Sequence, residues 1–397
     1  MKFSNRITAT KASPIRRLMP FAIKALNEGK KIYPLNIGQP DIKTPPSFFK
    51  VFEDFDKEIL AYDQSQGNPD LINAICNYYK NYNMDFEPDE ILITNGGSEA
   101  ILFTIIAVCD AGDTIIAPEP FYANYNGFAS AVDVSIEGVE TKAEEGFHLP
   151  PKSELVKKIK SNTKALIISN PSNPTGVVYT PGELKMLVEI CTEHDLFIIS
   201  DEVYREFVYD GLEFKSMGSF KEAQQRVVII DSISKRYSAC GARIGSIASK
   251  NKELINEIMK LCQGRLCVPT IEQLGAVELY KTSDSYFREV NAEYQKRRDI
   301  VYNALQKMDG VICREPKGAF YVSAKLPVDD AEKFIIWCLE KFEYNNETIM
   351  MAPLEGFYST EGMGINGVRI AYILNTDELT KAMSVLKKAL ELYPGRK

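Results

Sequence analysis

The chain reads as an α/β protein: a mostly parallel sheet sandwiched by helices, with a smaller α+β domain behind it. Three observations predict this. Between about residues 90 and 250, short apolar runs alternate with helical stretches. Those runs are apolar throughout, as in strands buried on both faces. Beyond them a long, charged helical stretch leads into a region that mixes both element types. At 397 residues the chain is too long for one small core, so a large and a small domain are expected.

The elements follow in order. Residues 1–45 carry little core of their own and are expected to pack on the small domain and over the site. Residues 46–290 form the expected large domain. Its strands are Ile91-Leu92-Ile93, Thr114 to Ala117, Ala165 to Ile168, Phe197-Ile198-Ile199 and Val227 to Ile230. Helical patterns at Ser98 to Val108 and Pro181 to His194 lie between them. The stretch Ser283 to Met308 is a connecting helix into the C-terminal domain, residues 291–397. There a strand is expected at Gly318 to Val322, a helix from Asp329 to Phe342, a strand from Gly367 to Ile373 and a closing helix from Thr376 to Leu392.

Composition excludes several classes. The net charge of -7 and the absence of a basic block argue against nucleic acid as a partner. Lys157 to Lys160 reads as a helix face. No apolar run reaches membrane-spanning length, and Met1 to Lys11 has no apolar signal core. Eight cysteines occur without Cys-x-x-Cys spacing, and His148 and His194 are the only histidines, so no metal site is expected. Cysteines within apolar runs, such as Cys109, read as reduced thiols of a cytoplasmic protein.

The most informative stretch is Ser232-Ile233-Ser234-Lys235, followed by Gly241-Ala242-Arg243-Ile244-Gly245. A lysine forms a Schiff base with an aldehyde, and pyridoxal 5'-phosphate (PLP) is the biological aldehyde that most often needs one. Hydroxyls and Arg243 offer the donors and charge that its phosphate requires. The lysine follows an apolar strand, where open α/β sheets place ligands. Thr94-Asn95-Gly96-Gly97-Ser98 joins a strand to a helix start, and a helix N-terminus favours an anion. Alone, that glycine pair is more often a plain helix-capping turn.

Asp201 follows another strand. It is either a helix cap or the carboxylate that keeps a pyridine nitrogen protonated. Asn170-Pro171-Ser172-Asn173-Pro174-Thr175-Gly176 reads as a turn by itself. Arg369 lies between apolar neighbours in a strand; if buried, it needs an anionic partner from the protein or from a ligand.

Taken together, these segments resemble the class I/II aminotransferases, PLP-dependent enzymes of fold-type I. The resemblance covers nearly the whole chain, with motifs in the family's order. It implies a seven-stranded, mostly parallel sheet and a homodimer with its site at the subunit interface. It implies that Gly97, Ser98, Ser232, Ser234 and Arg243 bind the phosphate, together with Tyr62 from the partner subunit. Lys235 is implied to hold the cofactor and move the substrate proton. Asp201 is implied to meet the ring nitrogen, Tyr204 and Asn173 the phenolate oxygen, and Tyr122 to stack on the ring. Arg369 is implied to bind the substrate α-carboxylate, with Gly38 over it.

A residue that reads a distal carboxylate is sought in Arg265 or Arg16; either is equally a surface or interface ion-pair residue. Ala242 stands where the family often carries a large residue. The resemblance is greatest to bacterial aspartate aminotransferases, which implies amino transfer to 2-oxoglutarate by a ping-pong mechanism. An aromatic or alanine aminotransferase, or a C–S β-lyase, is the alternative on the same scaffold. A DNA-binding regulator of this fold does not fit, because only about thirty residues precede the first motif.

Overall fold

The computed structural model describes residues 1–10 and 13–397; Lys11 and Ala12, in the N-terminal segment, lie outside the described residues. The strands are β1 (Lys31–Pro34), β2 (Ile91–Thr94), β3 (Thr114–Glu119), β4 (Ser135–Glu140), β5 (Thr163–Ser169) and β6 (Phe197–Asp201). They continue with β7 (Val227–Ser232), β8 (Gly245–Ala248), β9 (Tyr321–Lys325), β10 (Glu347–Met350), β11 (Ala352–Pro353) and β12 (Gly367–Ala371).

Seven strands form the main sheet in the order β2-β8-β7-β6-β5-β3-β4. All its pairings are parallel except those of β8, which runs antiparallel to β2 and β7. The alternation of side chains explains why the strands are continuously apolar. Ile93, Leu166, Ile168, Ile198 and Ile229 pack on one face. Leu92, Ala165, Ile167, Ile199 and Ile230 pack on the other. Each face is closed by helices, so neither meets water.

Capping sets several helix starts. Thr180 and Glu183 form a capping box at Pro181–Glu193. Asn68, Asn251, Asp330 and Asn375 each accept a backbone N–H in the first turn of their helices.

The second core gathers Val290, Tyr294, Val301 and Leu305 from the long helix Asp284–Leu305 with strands β9 and β12 and the helices Ala331–Glu340 and Thr376–Leu392. The expected boundary at residue 290 thus falls inside one continuous helix. Leu18, Ala22, Tyr33 and Leu35 join this core, and β1 pairs with β10. Strands β11, β12 and β9 form an antiparallel sheet.

The expected strand at 318–322 starts later, at Tyr321, and the closing helix is found at Thr376–Leu392. Strands β4 and β8 were not expected. β4 has the mixed composition of an edge strand, and β8 is only four residues of small and apolar side chains.

Candidate active site

The carboxyl ends of β5, β6 and β7 open toward one cavity of about 560 Å³. The turn after β2, the strand β12 and the N-terminal segment complete its walls. The cavity brings together Arg16, Gly38, Gly97, Ser98, Tyr122, Asn173, Asp201, Tyr204, Ser232, Ser234, Lys235, Arg243 and Arg369. Two expected residues lie outside it. Tyr62 is 79% exposed and lines no part of this chain's cavity. Arg265, expected to read a distal carboxylate, is corrected by the structure. It ends the helix Lys252–Arg265, where its guanidinium donates to the carbonyls of Ser65 and Ile93 at 3.2 Å and lies 3.8 Å from Glu99. Its charge is spent behind the β2 turn, not in the cavity.

Gly97, Ser98, Ser232, Ser234 and Arg243 line the cavity around the turn after β2. Gly96, at φ 78°, turns the chain into the helix Gly97–Val108. The first residue of β8 crosses just behind: a Cβ on Gly245 would sit 2.5 Å from the backbone of Gly96 and 2.7 Å from the nitrogen of Gly97. Only glycine permits that approach. Arg243 has φ 56°, a left-handed conformation that costs a non-glycine residue about 1–3 kcal/mol. Its guanidinium donates to the carbonyls of Cys240 at 3.0 Å and Asn95 at 3.4 Å, with no carboxylate partner among the described residues. Ser232 Oγ lies 2.7 Å from Ser234 Oγ.

Lys235 Nζ donates to the Gly38 carbonyl at 3.1 Å and lies 4.0 Å from Cys240 Sγ. Asp201 is 5% exposed. Burial pushes its carboxyl up to about 6, against the hydrogen bonds of Tyr125 and the Val203 backbone. Arg369 is 2% exposed and donates to Asn173 Oδ1 at 2.9 Å and the Asn36 carbonyl at 2.5 Å. Its guanidinium rests on the rings of Tyr321 and Phe357, and its Nε has no hydrogen-bond partner. Burial lowers its pKa, and only tyrosines act in the other direction. An arginine so placed, with no acid beside it, is set to receive a carboxylate.

Sequence reasoning missed two tyrosines. Tyr321 shares a hydrogen bond with Tyr204 at 2.7 Å, and a Cβ on Gly38 would overlap its hydroxyl. Tyr125 donates to Asp201 Oδ2 at 2.7 Å. The signal for Tyr125 was its place three residues after Tyr122, across a tight turn in which its N–H donates to the Tyr122 carbonyl at 2.9 Å. Tyr321 lay inside a run that read as an ordinary strand. Cys240, Gln39 and Asn124 also line the cavity without having been anticipated. Among the described residues no cluster of His, Cys, Asp or Glu could hold a metal, and no helix is long and apolar enough to cross a membrane.

Residues 30–386 match the family described as aminotransferase class I and II. The aspartate aminotransferase of Pyrococcus horikoshii is 30% identical over 395 residues, covering 98% of this chain and 97% of that protein. A double mutant of the Thermus thermophilus aspartate aminotransferase superposes with a TM-score of 0.90 at 27% identity, covering 98% of this chain and all of that one. An alanine aminotransferase from Pyrococcus furiosus gives 0.89 at 28% identity, covering 98% and 99%.

Proposed function

The chain belongs to the class I and II aminotransferases, and from that premise we propose that it moves the amino group of L-aspartate to 2-oxoglutarate with PLP as cofactor. The observation that carries this reading is the meeting of Lys235, Asp201, Arg243 and an acid-free Arg369 in one cavity. Members of the family are PLP-dependent in general, and the residues fit that group. The acid-free Arg243 and the crowded turn at Gly96 and Gly245 suit a phosphate, the buried Asp201 suits a protonated ring nitrogen, and Lys235 lines the same cavity.

When bound, PLP supplies an aldehyde for the amine and a conjugated ring that draws electron density from Cα. The chain's residues do the rest. Gly97, Ser98, Ser232, Ser234 and Arg243 hold the phosphate, and Lys235 anchors the cofactor. Tyr122 supports the ring face. Asp201 keeps the proton on the ring nitrogen. Tyr204 and the amide of Asn173 serve the phenolate oxygen; Asn173 can donate there because its Oδ1 is already occupied by Arg369. Arg369 binds the donor's α-carboxylate beneath the Gly38 backbone, which orients Cα toward Nζ of Lys235. That amine would take the proton from Cα and deliver it to the cofactor's former aldehyde carbon within the same half-reaction; the acceptor half runs the transfer in reverse. One cavity serves donor and acceptor in turn, so the kinetics are ping-pong.

For the donor, Arg16 supports aspartate. It lines the cavity with no ion-pair partner among the described residues, whereas neighbouring Arg17 is tied to Glu332. A homodimer is supported by the exposed apolar side chains Phe49, Ile59, Leu60 and Tyr62, which need a cover. The described cysteines are all unpaired, which supports a reducing, cytoplasmic setting.

The test is the absorbance of the loaded protein as L-aspartate, L-alanine and L-phenylalanine are added separately. Aspartate should bleach the cofactor band, and 2-oxoglutarate should restore it. Bleaching by alanine or phenylalanine alone would reassign the donor. Release of pyruvate and ammonia without an acceptor would replace amino transfer with elimination.

A further inference from the structure

We propose that Tyr125 is a positioning residue that sets the proton affinity of Asp201, and through it the proton kept at the cofactor's ring nitrogen. This rests on the aminotransferase reading above. Tyr125 is fully buried on the helix Asn124–Ser130, and its hydroxyl donates to Asp201 Oδ2 at 2.7 Å. The other carboxylate oxygen has only a 3.5 Å contact with the Val203 N–H. The phenol therefore makes the one short hydrogen bond to this carboxylate among the described residues.

The ring cannot easily turn away. It packs edge-on against Tyr122 at 5.4 Å and is stacked with Phe121 at 6.1 Å. One aromatic unit thus links the residue proposed to face the cofactor ring with the residue proposed to meet its nitrogen. Burial and the Asp201 charge raise the phenol's own pKa well above the ordinary value, so Tyr125 remains a donor at every working pH.

Two acidic neighbours of Asp201 act oppositely to this bond. Glu202 at its own strand end and Asp231 on β7 both raise its proton affinity, and they share the guanidinium of Arg205 at 2.9 and 2.8 Å. Lys235 lines the same cavity, as do the half-buried phenol of Tyr122 and the buried phenol of Tyr204. A donor to the ionised carboxylate favours the charged form. That form is the one that retains a proton on a neighbouring pyridine nitrogen.

The experiment reads Asp201 directly. In the full chain freed of cofactor, the Asp201 carboxyl is titrated by carbon-13 NMR, its resonance assigned by its loss in Asp201→Asn. Tyr125→Phe keeps the ring and removes the donor; the Asp201 midpoint should rise by about one pH unit. Site-specific 3-fluorotyrosine at position 125, a stronger donor of nearly the same shape, should lower it. In the loaded enzyme, Tyr125→Phe should cut kcat about tenfold and move the acid limb of its pH profile upward, with KM unchanged. An Asp201 midpoint unmoved by either replacement would overturn the proposal. If Tyr125→Phe does not fold, the fluorinated chain decides alone. A midpoint that moves in a protein without transaminase activity would uphold the coupling and sink only the activity.

Discussion

The guanidinium of Arg369 donates to Oδ1 of Asn173 across 2.9 Å, joining the last strand of the C-terminal core to the loop that leaves β5 of the main sheet. The bond fixes two things at once. It aims the arginine into the cavity, and it turns the Asn173 amide so that its N–H groups face away from the arginine. A substrate carboxylate placed on Arg369 would therefore sit in register with whatever Asn173 binds.

Arg369→Lys should raise KM for the amino donor. A lysine keeps the charge but loses the two-pronged geometry and the stacking on Tyr321 and Phe357. We expect kcat/KM to fall on the order of a hundredfold, most of it in KM. Steady-state kinetics with KM unaltered would remove Arg369 from the substrate site.

Borohydride treatment of the loaded protein should fix the cofactor to the peptide that contains Lys235. The Lys235→Ala chain should remain unlabelled and lose activity by roughly a thousandfold. Mass spectrometry of the digest decides this, and a label on a different lysine would contradict it.

Arg16→Ala should lower turnover of aspartate relative to alanine by about tenfold, because only aspartate offers a second carboxylate. Arg265→Ala should leave that ratio alone. Its expected effect is a fall in melting temperature of a few degrees, as its bonds to Ser65 and Ile93 are lost. An unchanged ratio in Arg16→Ala would leave the distal carboxylate without a reader.

Asp201 also predicts a pH dependence of stability. In the cofactor-free fold its pKa is raised to about 6 by burial, above the 3.8 of an exposed aspartate. The folded state then holds the proton more tightly, so the charged form is a cost to the fold. That cost is fully present above about pH 6 and fades as pH falls toward the unfolded value. Asp201→Asn should therefore stabilise the cofactor-free chain at pH 7.5, on the order of 3 kcal/mol, and by about a third of that at pH 4.5. Denaturant melts at the two values measure it, and equal gains at both would falsify the assignment.

Much of this protein was legible before any coordinates. Apolar runs with no alternation implied strands covered on both faces, because such side chains have no exposed side to leave polar. The chemistry of lysine, arginine and aspartate at strand ends, in one order along the chain, pointed to a single cofactor. Strand β8 stayed hidden because an antiparallel strand of Gly245, Ser246, Ile247 and Ala248 has too few residues to show a period.

What the tertiary structure alone decided is which groups share one space. Arg16 and Arg265 look alike in sequence, yet one lines the cavity and the other is bound to carbonyls behind the β2 turn. Tyr125 and Tyr321 were not singled out in the sequence, but their hydroxyls reach Asp201 and Tyr204. Local sequence determined the strands, the helix caps and the residue types that chemistry requires, since those follow from periodicity and short-range hydrogen bonds. The pairing of side chains distant in the chain follows from packing, and packing exists only once the sheet and the two cores have come together.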